Sequence, residues 1–223
     1  MNASSPAAGP QPPSLRAAPI ARRAVGLFAA AALVLLGARF FISGALPFLL
    51  DVSPDSYGRY WPRRSFLLTH IIAGSLALVV GPIQLWSGLR RRSLLLHRWL
   101  GRLYVASVLV GGLAAFSLAS QTEASAAHAI SLTVLGIAWW ITTGIAWLAI
   151  RRRQIRRHQL WIFRSYIVTF SFVTFRWWAE LGALRGLGSE PVAVLVWLSW
   201  VVPLLAMEIV LRRRDAQFGR NGK

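Results

Sequence analysis

The sequence predicts an all-α membrane protein of six transmembrane helices, with helices two to five as an up-down four-helix bundle. Three observations lead there. Hydrophobic residues make up 56% of the chain against 14% charged. Several apolar runs reach the roughly 20 residues needed to cross a hydrocarbon core of about 30 Å. Those runs are continuous, without the ten-residue alternation of a membrane β-barrel.

Residues 1–23, rich in Pro, Ala and Ser, predict a disordered cytoplasmic tail. The first span covers residues 24–41. Arg22 and Arg23 before it imitate a signal-peptide n-region, but the run is long and no small-x-small site closes it, so it reads as an uncleaved anchor. Residues 66–86, 96–119, 126–150, 160–181 and 191–211 supply the other spans, and short loops make residues 24–212 one domain. Residues 213–223 form a basic cytoplasmic tail.

A net charge of +18 would suggest nucleic acid in a soluble protein, but here its distribution follows the spans. With the N-terminus inside, 19 of the 25 basic residues fall on the inner flanks, in clusters such as Arg90 to Arg92 and Arg151 to Arg153. The positive-inside rule then holds at every loop, with both termini in the cytoplasm and the chain in a bacterial inner membrane. The partner implied is the lipid bilayer, its anionic lipids included, and not nucleic acid. The absence of cysteine excludes disulfides, iron–sulfur ligation and thiolate ligation of haem.

Four histidines carry the chemistry. His70, His97, His128 and His158 lie one each near an end of the second to fifth spans. The middle of the chain also repeats: three arginines precede His97 and His158 by the same seven residues, and HRWLGRLY after one parallels HQLWIFRSY after the other. In an up-down bundle the second and fourth spans face each other on one diagonal, the third and fifth on the other. His70 can therefore meet His128 near the outer surface, and His97 can meet His158 near the inner one. Two facing neutral imidazoles make a bis-histidine site for haem iron, so two stacked b haems would form an electron path. Taken singly, each histidine could equally be an interfacial residue bonding to headgroups or a neighbouring helix. Zinc is disfavoured because the two pairs lie too far apart for one four-ligand site.

The stretches GPIQLWSGLRRRSLLLHRWLGRLYV and RRHQLWIFRSYIVTFSFVTFRWW resemble a bacterial family of membrane proteins, domain of unknown function 2306. The histidine plan is similar to that of the cytochrome b-561-type oxidoreductases, whose six helices hold two b haems inside the second to fifth. That resemblance implies the same pairs, His70 with His128 and His97 with His158. It carries no match to that family's ascorbate-binding motifs, so a quinol, a small reductant or a ferric chelate are the candidate electron partners.

Other residues support the site. Arg102 and Arg164, which recur five and six residues after a histidine, would face haem propionates, although snorkelling to the interface explains them too. Tyr104 and Tyr166 recur likewise and could bond a propionate or cap helix contacts. Arg176 and Glu180 share a helix face. Gly74, Gly81, Gly136 and Gly144 would let a planar cofactor or a neighbouring helix approach. Most tryptophans fall near span ends, as an aromatic belt requires. The rival expectation is a haem-free transporter or scaffold whose histidines titrate or bond between helices.

Overall fold

The computed structural model describes residue 28 and residues 31–90, 93–180 and 189–221. The expected tail over residues 1–23, Arg91, Arg92 and the loop 181–188 lie outside the described residues. The chain divides into two compact units, Met1–Ala38 and Arg39–Lys223. The described part of the first is helical.

The second unit opens with a π-helical turn, Phe41–Ala45, leading into α1 (Leu46–Leu50). Pro47 stands in the first turn of α1, and because helix runs on from Ala31 its missing N–H interrupts the backbone ladder just where the π-helical turn ends. Ser53 caps α2 (Pro54–Tyr57) by accepting the Ser56 N–H at 3.3 Å. The Ser56 hydroxyl donates to the Asp51 carboxylate, and together with the Ser53 hydroxyl it holds that carboxyl below its ordinary pKa. Buried Tyr57 donates to the Phe48 carbonyl at 2.7 Å and ties α2 to α1. A 3-10 turn, Gly58–Arg63, then feeds the long helices.

These are α3 (Arg64–Arg90), α4 (Leu94–Ala119), α5 (Ala126–Arg151), α6 (Ile155–Glu180) and α7 (Ser189–Asn221). Each of α3 to α6 has 26 or 27 residues, about 39 Å of helix at 1.5 Å per residue, enough for a hydrocarbon core. Side-chain contacts fix their order and direction. His70 meets Gly111 while Gln84 meets His97, so α3 and α4 are antiparallel. Trp140 bonds Val108 while Gly136 lies against Phe116, which makes α4 and α5 antiparallel. His158 bonds Ala146 and Ser165 bonds Thr143, running α6 back along α5. Tyr166 reaches Leu78 and Phe172 reaches His70, so α6 also packs on α3. Finally α7 lies against both α5 and α6.

The turns at the arginine-rich end support the repeat. Ser93 and Arg153 are the non-glycine residues with positive φ, 51° and 59°, among the described residues. One turn after each comes a histidine: the His97 N–H bonds Ser93 O at 3.0 Å and the His158 N–H bonds Gln154 O at 2.9 Å. Both histidines thus occupy the first turn of a helix entered through a left-handed residue. The core between the helices holds Tyr104, Val108, Trp139, Val168 and Val196, each no more than 1% exposed. Val79, Leu113, Ile141, Leu148 and Leu205 instead face outward, each more than half exposed, a surface suited to lipid rather than water.

Among the described residues, five helical stretches are long and apolar enough to cross a membrane: Ala31–Leu50, Pro54–Gly88, Leu94–Ala119, Ala126–Arg151 and Pro191–Arg213. The first runs nine residues past the expected end at Phe41, because the apolar sequence continues beyond Gly44. The fifth expected span is different. Helix α6 matches its neighbours in length but not in apolar character, since Arg164 and a series of hydroxyl residues interrupt it. Ser165, Thr169 and Ser171 are buried against other helices, so the polar content of α6 faces protein rather than lipid. At the other end of the chain, α7 continues as helix through most of the stretch expected to be a basic tail.

Candidate functional site

Three of the four histidines share one arrangement. His70 Nδ1 lies 2.9 Å from the Gly111 carbonyl oxygen, His97 Nδ1 3.1 Å from that of Gln84, and His158 Nδ1 2.9 Å from that of Ala146. A carbonyl oxygen can only accept, so in each case Nδ1 carries the hydrogen. In the neutral ring, Nε2 then holds the free lone pair. This is how metal-ligating histidines are usually oriented, with the second nitrogen fixed by a backbone carbonyl. His128 departs from the pattern: its Nδ1 is buried with no hydrogen-bond partner, and its backbone N–H donates to the cap residue Ser125.

At the arginine-rich end, His97 and His158 line one cavity of about 190 Å³ between α3, α4, α5 and α6. Arg98, Arg102 and Arg151 also line it. His97 is wedged in place: its ring lies against bare backbone at Gly88, where a Cβ would come within 2.9 Å of Cε1. Its Nδ1 is also 3.3 Å from the Ser87 hydroxyl, which itself donates to the Gln84 carbonyl at 3.0 Å. Gln84 lines the cavity with its side chain 4% exposed and its Oε1 without a partner. Arg102 lies over the Trp99 ring at 5.0 Å, a cation–π contact that aligns its guanidinium. The cavity therefore joins two imidazoles, three cations and one idle buried acceptor.

At the opposite end, His70 lines a smaller cavity of about 80 Å³ with Gly44, Gly74, Ser75, Thr169 and Phe172. Neither cavity includes His128. Depth separates the expected outer pair. His70 stands level with Gly111 and Phe172, each eight residues, about 12 Å, from the end of its helix. His128 is the third residue of α5, only about 3 Å in. Phe172 meets the His70 ring edge-on at 5.3 Å, and Trp139 stands against Phe172 at 5.8 Å. The structure thus brings His97 and His158 to one cavity, whereas the cavity at His70 does not take in His128.

The supporting residues divide in the same way. Arg102 is at the cavity, but Arg164 is not among its lining: its Nε and Nη2 bind Glu208 Oε1 on α7 at 2.7 and 2.6 Å, and its guanidinium lies over Trp161 at 4.8 Å. Tyr104 is buried and bonds Ser165 and Thr169, while Tyr166 donates to the Leu78 carbonyl at 3.2 Å. Gly81 and Gly136 do admit close neighbours, the rings of Tyr166 and Phe116, whereas Gly74 and Gly144 face open space. The Glu180 side chain, and with it the expected pair with Arg176, lies outside the described residues. Trp86, Trp99 and Trp177 are exposed, as an aromatic belt requires.

Several residues of the site carry signals in the sequence that histidine spacing passes over. Gln84, Thr143, Ser165 and Thr169 are polar residues inside apolar runs, which in lipid face other helices or a cavity. Among the described residues, no group of three or more His, Asp or Glu side chains is placed to hold a metal ion.

No curated protein and no solved structure matches the chain. Residues 67–211 match the family described as predicted membrane protein (DUF2306). That match takes in α4, α5 and α6 whole, nearly all of α3 and most of α7, with all four histidines, and the protein belongs to this family of membrane proteins.

Proposed function

We propose that the protein is a membrane-embedded b-type cytochrome, in which His97 and His158 would hold a haem at the arginine-rich end. One observation carries the reading. Both rings line the same cavity, and both have Nδ1 fixed by a carbonyl from the neighbouring helix, which leaves Nε2 free to ligate. Arg98, Arg102 and Arg151 would balance the propionates. Bound there, haem would supply one-electron redox chemistry between a donor and an acceptor such as a quinol, a small reductant or a ferric chelate. The chain would hold the two imidazoles in one tautomer, keep the site at low dielectric and compensate charge.

The residues around His70 and His128 do not fit a second haem as they stand, because the rings differ in depth and the cavity at His70 does not take in His128. A stoichiometry of one haem per chain is therefore the expected value. The reading extends to six spans, α6 included, with α3 to α6 as an up-down bundle and both termini on the cytoplasmic side of a bacterial inner membrane. Its support is the antiparallel contact series and the arginine distribution. A haem-free transporter or scaffold is the second reading, favoured by the close aromatic packing around His70.

The test is the pyridine-haemochrome spectrum of protein purified from haem-sufficient cells. His97→Ala and His158→Ala should each remove the same haem, and the double variant should do no more, because two ligands of one iron act as a unit. Folded, colourless wild-type protein would sink the cytochrome reading and leave the second one.

A further inference from the structure

A chain of hydroxyls crosses the buried middle of the helices. Thr143 Oγ1 lies 2.7 Å from Ser165 Oγ, Ser165 Oγ 2.8 Å from Tyr104 Oη, and Tyr104 Oη 2.7 Å from Thr169 Oγ1. None of the four side chains is more than 3% exposed. The two ends open differently: Thr143 lines the larger cavity with His97 and His158, and Thr169 lines the smaller cavity with His70. We propose that this chain, Thr143–Ser165–Tyr104–Thr169, conducts protons between the two cavities.

The hydrogens can be assigned from the partners. Trp139 Nε1, which can only donate, gives its hydrogen to Thr169 Oγ1 at 2.8 Å. The one Thr169 hydrogen has two acceptors in reach, the Ser165 carbonyl at 3.0 Å and Tyr104 Oη at 2.7 Å. In the conducting order Thr169 donates to Tyr104, Tyr104 to Ser165, and Ser165 to Thr143. The series has one sense, with an acceptor lone pair left on Thr169 toward the smaller cavity and the Thr143 hydrogen left for the larger one. A proton arriving on Thr169 forms a new O–H bond as Thr169 releases its own hydrogen to Tyr104. The same exchange repeats at Tyr104, Ser165 and Thr143, which releases its hydrogen to water in the larger cavity. Four O–H bonds form, four break, one proton crosses, and no electron moves. Rotation of the hydroxyls then restores the starting order.

Water is the donor at one end and the acceptor at the other. A site needs only about 10–15 Å³ to hold one water and two or more polar partners to keep it. Cavities of about 190 and 80 Å³ meet the first condition. Gln84, His97 and Thr143 on one side, and His70, Ser75 and Thr169 on the other, meet the second. Hydroxyls that served only as glue between membrane helices would need neither continuity nor a cavity at each end. The proposal does not rest on haem binding.

The full-length protein, as isolated, is reconstituted into phospholipid vesicles holding a trapped pH dye, and proton entry is driven by a potassium diffusion potential. Wild type should exceed protein-free vesicles. Tyr104→Phe keeps the ring but removes the central oxygen, and should lower the protein-dependent flux at least tenfold. Thr143→Val should do the same, whereas Thr143→Ser, which keeps the hydroxyl, should stay within twofold of wild type. Circular dichroism and gel filtration check each fold, and if Tyr104→Phe fails to fold, the Thr143 pair decides alone. Wild-type flux equal to that of empty vesicles, undiminished flux in folded Tyr104→Phe or in Thr143→Val, or equal losses in Thr143→Val and Thr143→Ser would overturn the proposal.

Discussion

Removing Arg164 separates a structural cation from a haem-binding one. Its recurrence after His158 predicts a propionate partner, but the structure gives it Glu208, through two contacts to one carboxylate oxygen at 2.7 and 2.6 Å. Arg164→Met leaves that carboxylate unpaired beside α6. Breaking a buried pair from one side costs about 3–5 kcal/mol and an exposed one about 0–1 kcal/mol, and this pair, with side chains 17% and 37% exposed, lies between them at about 2 kcal/mol. About 2 kcal/mol corresponds to a fall of roughly 4–8 °C in unfolding midpoint for a chain of this size. Thermal unfolding in detergent at a fixed scan rate measures it. Arg164→Met with Glu208→Leu should recover most of the loss, since neither charge is then left alone. Haem content should be unchanged in every one of these variants, while Arg102→Met, at the cavity, should weaken haem retention with a smaller change in midpoint. Arg164→Met protein that loses haem but unfolds like wild type would refute the assignment of Arg164 to Glu208.

Three further outcomes follow. Gly112→Ala should destabilise the protein by about 1–3 kcal/mol, because the new methyl group displaces Trp140 and its 3.1 Å bond to the Val108 carbonyl; an unchanged unfolding midpoint would contradict this packing. The Asp51 carboxyl is held below its ordinary value, so its contribution to the Ser53–Tyr57 turn is full above the unfolded pKa of about 3.9 and fades as pH falls through the lower folded value. Hydrogen-exchange protection of the Tyr57 amide should drop over that acid range in wild type and stay level in Asp51→Asn. Reporters fused after Arg153 or Lys223 should read as cytoplasmic and one fused after Ser120 as external, and any reversal would invert the proposed topology.

Helix positions were legible because lipid imposes a length and an apolar composition that few residues can disguise. The histidine repeat was legible too, since equal spacing from an arginine cluster survives folding as equal placement in the first turns of α4 and α6. Depth was not. His70 and His128 both lie near a span end in the sequence, but a few residues along a helix change level by several ångströms, and only packing against Gly111 and Phe172 fixes the ring of His70. Arg164 shows a second gap: a recurring position predicts a recurring role, yet the partner came from Glu208 on α7, which lies outside the repeat. The hydroxyl chain needed three helices to meet at once, and no spacing within one helix announces that.

The contact between Gly81 and Tyr166 reaches beyond this one molecule. The ring of Tyr166 rests on bare backbone at Gly81, so any side chain added there would overlap it. The width of the aromatic ring, rather than a backbone-to-backbone groove, sets how near α3 and α6 come at that level. Such a pair is inherited as a unit. A descendant sequence that gains a methyl group at position 81 can keep its helices in register only by shrinking residue 166, and one that loses the ring leaves a gap that a larger residue at position 81 can fill. Within the family these two positions should therefore change together or not at all, 85 residues apart in the chain but held at one separation by the ring between them.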